Sequence, residues 1–118
     1  PWFRVKEFAD DRIKLFCFPY GGGGATLYKD WQKQMPAEIA VVPVQLPGRE
    51  NRFDEQPIDN IVEMTEQLFE VFSALPPSPW AFYGHSAGAL MAWRLVFRLA
   101  QDKQYKDRLK HLFVAGYS

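Results

Sequence analysis

Gly84-His85-Ser86-Ala87-Gly88 has the spacing G-x-S-x-G, with a short apolar run before it and a long apolar segment after it. A strand entering such a pentapeptide and a helix leaving it form a sharp, strained turn that lifts a serine hydroxyl clear of a sheet. Gly84 and Gly88 are required there, because side chains at those positions collide with neighbouring backbone. The chemistry this turn supports is attack on an acyl carbon: Ser86 is the candidate nucleophile, and the N–H of Ala87 faces the oxyanion that develops. The plainer alternative, a glycine-rich helix start with an incidental serine, lacks a reason for the strand that precedes it.

A second glycine-rich stretch, Phe18-Pro19-Tyr20-Gly21-Gly22-Gly23-Gly24, follows another apolar run. Glycines let backbone approach a ligand closely and let N–H groups point inward. An acyl-transfer site needs a second oxyanion donor from such a loop, and the N–H of Gly21 is the candidate. No Lys-Ser/Thr follows, so the stretch is not a P-loop. Thr26 stands where a dinucleotide fingerprint needs its third glycine.

Serine attack also needs a base, normally a histidine held by a carboxylate. The chain has two histidines. His85 lies in the turn itself, where adjacent side chains point in different directions. His111 begins the last strand, which in a parallel sheet puts it at the end opposite the serine. Both read as structural, and no residue reads as a convincing base. Cys17, the one cysteine, lies in an apolar run and reads as a small buried hydrophobe. No metal site is expected.

The elements that must position these residues alternate. Ile13–Phe18 reads as a buried parallel strand, 25–35 as a helix, and 39–46 as a strand whose Pro43 demands a sheet edge or a bulge. The segment 47–57 reads as a loop and 58–75 as an amphipathic helix. Then come a strand at 80–83, the turn, and a helix at 87–100. That helix is apolar almost all round and therefore expected to be largely buried, with Arg94 and Arg98 marking its wet side. A charged loop, 101–110, leads to a last strand at 112–115; residues 1–8 suggest a short edge strand. Trp31, Trp80 and Trp93 read as core, and Tyr20 either lines the site or packs over the turn. The alternation implies an α/β fold, a mostly parallel sheet with helices on both faces. If strand 39–46 lies on one side of strand 13–18 and strand 80–83 on the other, the glycine loop and Ser86 both emerge at the switch point where open α/β sheets bind ligands.

The 118 residues make one domain, 47% hydrophobic and so able to build a core. Fourteen basic residues balance fourteen acidic ones. A neutral total argues against nucleic acid or an anionic membrane as partner. The longest apolar stretch, 87–99, is broken by two arginines and too short to span a bilayer, and the expected setting is soluble and cytoplasmic.

With these residues in hand, the chain resembles the thioesterases of nonribosomal peptide and polyketide synthesis, the stand-alone editing (type II) kind above all, within the α/β-hydrolase superfamily. The likeness runs through Trp2-Phe3, LFCFPYGGGGA at 15–25, VQLPGRE at 44–50, Pro57, YGHSAGAL at 83–90 and LFVAGYS at 112–118. It implies that Ser86 is acylated by a substrate carried on the phosphopantetheine arm of an acyl or peptidyl carrier protein, and that water then releases the acyl group. No cofactor of the enzyme's own is implied. Ala87 and Gly21 form the oxyanion hole by this likeness, Gly21 replacing the alanine usual in the family loop. Arg49, Glu50 and Arg52 are candidates to guide a carrier protein, or simply solvated loop charges. In the family a lid, the catalytic aspartate and the histidine follow the strand that closes this chain. Residues 1–118 are therefore expected to be the nucleophile-bearing N-terminal portion of one domain, inactive without a missing C-terminal portion; one piece of an enzyme assembled from two, or a degenerate copy, are the alternatives to a fragment. The competing expectations are a non-catalytic module that binds carrier protein, and part of a general carboxylesterase or lipase.

Overall fold

A computed structural model of the chain describes residues 2–3, 12–19, 28, 30–45 and 61–115. Its elements in chain order are β1 (Ile13–Phe18), a 3-10 turn at Trp31–Gln34, β2 (Ile39–Pro43), α1 (Ile61–Ser73), β3 (Trp80–His85), α2 (Ala87–Leu99), α3 (Lys103–Lys106) and β4 (Leu109–Ala115). The four strands form one sheet in the order β2-β1-β3-β4, every pair parallel. Phe16 lies opposite Val42 on one side and Phe82 on the other, which fixes the register at the centre.

β1 is nearly continuous in apolar residues because it is flanked by strands on both edges and covered on both faces. One face carries Phe16, Phe18, Trp80 and Phe82, which meet Met64, Leu68 and Phe72 of α1 and Ala92, Leu95 and Leu99 of α2. Phe72 is the hub: its ring centroid lies 4.6 Å from Phe16, 5.5 Å from Trp80 and 5.6 Å from Phe82. The opposite face carries Leu15, Cys17, Val41 and Ala81, covered by Tyr28, Trp31 and Met35. The crossover between β1 and β2 thus lies on one face, and α1 and α2 lie together on the other.

β2 takes the sheet edge that Pro43 demands, since a proline has no N–H for an inner ladder. Its outer side is blunted by a side chain: Gln32 Nε2 donates to the Ile39 carbonyl at 2.8 Å and Gln32 Oε1 accepts from Val41 N at 2.7 Å. Further along, Phe3 makes an isolated antiparallel bridge to Val44, and Gln45 N donates to the Trp2 carbonyl at 2.6 Å. Of the edge strand expected over 1–8, this bridge is the described part.

Several expectations change. The described part of the helix expected at 25–35 is the 3-10 turn, tightened where Gln32 turns its amide onto β2. The charged loop at 101–110 holds α3, whose N-cap Asp102 accepts from Gln104 N at 2.9 Å. The last strand starts three residues early, at Leu109, with a register shift opposite Trp80 and Ala81. α2 is not buried all round: Gly88, Ala89, Ala92, Leu95 and Leu99 are buried, while Leu90, Trp93 and Phe97 are exposed. Trp80 is core and Trp31 half-buried, but Trp93 is 51% exposed. Arg94 and Arg98 do not mark the wet face either. Arg98 lies in the seam with α1, its Nε 2.9 Å from Glu66 Oε2 and its guanidinium 3.8 Å over the Phe69 ring. Among the described residues no helix is long and apolar enough to cross a membrane.

Candidate active site

β3 delivers the chain to the carboxyl end of the sheet and α2 carries it away, with Ser86 alone between them. Ser86 has φ 57° and ψ −121°, the one positive-φ non-glycine residue among those described. A residue with a Cβ rarely adopts this conformation, so the turn is held by its surroundings. Two contacts hold it. Ser86 N donates to the Ala115 carbonyl at 2.9 Å, tying the turn to the end of β4, and Ala89 N donates to the Ser86 carbonyl at 2.9 Å, starting α2.

The glycines on either side are sterically obligatory. A Cβ on Gly84 would overlap the Gly88 carbonyl oxygen and fall 2.6 Å from Ala89 Cα. A Cβ on Gly88 would fall 2.5 Å from the Pro19 carbonyl oxygen and 2.6 Å from that of Phe18. The second pair has a further consequence: α2 starts in direct contact with the end of β1, where the glycine-rich loop departs. The strand order brings β1 and β3 side by side, Phe18 opposite Gly84, so the switch point expected from the sequence is where Ser86 sits.

Ser86 is partly exposed. Ala87 is the first residue of α2, so its N–H has no acceptor within the helix and lies at the positive end of the helix dipole. Gly21, the other candidate donor, lies outside the described residues, as do Tyr20, Arg49, Glu50 and Arg52. What the structure adds is the anchor of that loop. Tyr28 is buried, and its hydroxyl donates to the Phe18 carbonyl at 2.6 Å, so the chain after the loop is pinned to the residue before it. Tyr28 also packs edge-on against Trp31 at 4.7 Å, and Trp31 against Tyr83 at 4.8 Å, an aromatic cluster beneath the site. The role of Tyr28 was hidden in the sequence because its partner is a carbonyl ten residues back. The only local signal was an aromatic residue following a glycine run.

Neither histidine is brought to Ser86 as a base. His111 pairs in register with Ala81, five residues before Ser86 on β3, which at ~3.3 Å per residue puts it beyond hydrogen-bond reach. It is exposed, with its ring 4.2 Å from that of Phe113. His85 follows the strand alternation of Ala81 and Tyr83, which puts it on the sheet face away from α2. Cys17 is fully buried on β1, the strand beside β3, its thiol 3.7 Å from the Leu15 carbonyl, and burial pushes it from 9.0 up to about 12. A protonated buried thiol is not a nucleophile. Among the described residues no group of His, Cys, Asp or Glu side chains is placed to hold a metal ion.

The thioesterase-domain family matches residues 13–118. Gramicidin S biosynthesis protein GrsT of Aneurinibacillus migulanus is 43% identical over 105 residues, covering 89% of this chain and 40% of that protein. Linear gramicidin dehydrogenase LgrE of Brevibacillus parabrevis is 41% identical over 111 residues, covering 94% of this chain and 41% of that protein. The solved structure of the type II thioesterase BorB from the borrelidin biosynthetic cluster superposes with a TM-score of 0.82 at 32% identity, covering 98% of this chain and 46% of that one. The chain spans about two-fifths of the length of the curated relatives it matches.

Proposed function

From the premise that this chain belongs to the thioesterase family and has the parallel sheet of an α/β-hydrolase, we propose that it supplies the nucleophile and oxyanion hole of an enzyme hydrolysing acyl or peptidyl thioesters. The observation that carries the reading is the strained turn at Ser86, at the sheet switch point and seated on the start of the glycine loop. Ser86 Oγ attacks the thioester carbonyl while a histidine base takes its proton. The tetrahedral oxyanion is held by the N–H groups of Ala87 and Gly21. The C–S bond then breaks, the pantetheine sulfur leaves with the proton, and an ester of Ser86 remains. Water attacks that ester with the same base, and the acid departs as Ser86 regains its hydrogen.

The substrate in this reading rides on the phosphopantetheine arm of a carrier protein, in keeping with the biosynthetic clusters that the relatives serve. The base comes from polypeptide beyond these 118 residues, because neither His85 nor His111 is placed for it, and the chain by itself does not turn over. The name of LgrE raises hydride transfer as another chemistry. The glycine run lacks the dinucleotide spacing, since Thr26 replaces the third glycine, which weighs against it. The position of the histidines also favours a second reading, a non-catalytic module that only docks carrier protein. A serine-directed phosphonate separates the two. With these residues joined to the remainder of a thioesterase domain, the expected results are one adduct, on Ser86, and hydrolysis of carrier-bound thioester ahead of simple esters. Absence of both, with carrier protein still bound, establishes the module instead.

A further inference from the structure

The groove between α1 and α2 combines apolar walls with a buried cationic donor that has no acceptor. Val62 of α1 and Trp93 and Phe97 of α2 stand along it, 54%, 51% and 59% exposed, around a space of about 290 Å³. The Trp93 and Phe97 rings stack at 5.7 Å, which packs the wall on the α2 side. Among the described residues the charged lining is Arg94, Arg98 and Glu66. Two of these are already engaged: Arg98 Nε donates to Glu66 Oε2 at 2.9 Å, and the Arg98 guanidinium lies 3.8 Å over the Phe69 ring. Arg94 is left. Its Nε is buried and has no hydrogen-bond partner among the described residues. A buried donor without an acceptor is costly, and more so on a charged group.

We propose that this groove binds a carboxylic acid with an apolar chain, its carboxylate on Arg94 and its chain along Val62, Trp93 and Phe97. Charge selects the head group. Arg94, Arg98 and Glu66 sum to one positive charge, which a single carboxylate cancels with a charge-assisted hydrogen bond. A phosphate dianion overshoots that charge and is repelled by Glu66. Size selects a small molecule, since ligand clefts begin near ~300 Å³ whereas a protein partner needs about 800 Å² on each side. Position separates the groove from the reacting serine. Arg94 follows Ser86 by eight positions on α2, ~12 Å along a helix axis, so an acid held there does not touch an ester on Ser86. The choice of acid rests on the proposed function: thioester hydrolysis releases a carboxylic acid, and an acyl product has this head and this tail. The groove thus holds the product class away from the site that makes it.

The probe is decanoate, kept below its micelle concentration and followed by nuclear magnetic resonance on the 118-residue chain. Saturable shifts are expected at the Arg94 Nε–H and the Trp93 indole N–H, with an unfolding midpoint that rises with decanoate concentration. Arg94→Gln is expected to weaken binding by about 10-fold. Arg94→Lys keeps the charge and loses less. Decanol, with the same chain and no charge, is expected to bind about as poorly as decanoate binds Arg94→Gln. Decanol bound as well as decanoate, or Arg94→Gln binding decanoate as the wild type does, overturns the proposal. So does inorganic phosphate that displaces decanoate, since the head group is then the wrong one. Shifts centred on Ser86 and Ala87 in place of Arg94 overturn it too, because the acid then sits in the reacting site. Binding requires no turnover, so the two readings fail separately. A filled groove beside a Ser86 that no phosphonate labels sinks the catalytic reading alone, and an empty groove beside a labelled Ser86 sinks only this one.

Discussion

Ser86 keeps φ 57° although it carries a Cβ, a conformation that costs on the order of 1–3 kcal/mol relative to glycine. Ser86→Gly is therefore expected to raise the stability of the chain by about 1 kcal/mol in thermal or denaturant unfolding, while removing all labelling by a phosphonate. A loss of stability instead shows that the hydroxyl contributes more than the strain removes. Gly88→Ala acts in the opposite sense. Its Cβ meets the Phe18 and Pro19 carbonyls, two backbone atoms that cannot rotate away, so a loss of roughly 2 kcal/mol is expected. Cys17 gives the pH dependence. Its thiol binds its proton up to about 12 in the folded chain against 9.0 when free, so between those values the folded state holds more protons and stability falls as pH rises. The three-unit gap sets an upper bound of about 4 kcal/mol, order of magnitude only, lost between pH 9 and 12 and retained below 9. Cys17→Ala lacks this component, so its stability difference from wild type is expected to shift in its favour across that window; a constant difference refutes the burial argument.

At the scale of elements, Tyr28 is the test of how the glycine loop is held. Tyr28→Phe keeps the ring against Trp31 and removes the donor to the Phe18 carbonyl, leaving a buried carbonyl short of a partner. The expected cost is about 1 kcal/mol in unfolding, with slower labelling of Ser86 in the completed domain; equal labelling rates disconnect Tyr28 from the site. This link was invisible in the sequence, whereas the turn was plain. Gly84, Ser86 and Gly88 answer a steric demand contained within five residues, so spacing alone reveals them. Ile13–Phe18 was legible for a related reason, since a strand covered on both faces must be apolar throughout. α2 was misread because an all-apolar helix does not say which of its faces the described fold will cover. The turn at Trp31–Gln34 was misread as helix because Gln32 gives its amide to the backbone of β2, a partner seven to nine residues away. The four residues of α3 are too few and too polar to leave a periodic trace.

The whole molecule combines a neutral charge, a sequence pI near 7.3 and an exposed apolar surface running over α2 and β4. Without net charge, copies of the chain repel one another weakly, and an apolar edge strand offers them a template to pair with. Association should therefore be strongest near pH 7.3 and weaken on either side, as the chain gains charge. Phe97 and Phe113 carry little of the fold, being 59% and 48% exposed on the outer sides of α2 and β4. Replacing both by lysine adds two positive charges to the patch and puts a gatekeeper on the strand edge. The double variant is expected to stay within about 0.5 kcal/mol of wild-type stability per substitution while light scattering at neutral pH falls. Scattering that persists, with folding intact, would place the self-association elsewhere on the surface. A large loss of stability would mean that these rings are already covered, and the open face inferred for α2 and β4 would not exist in solution.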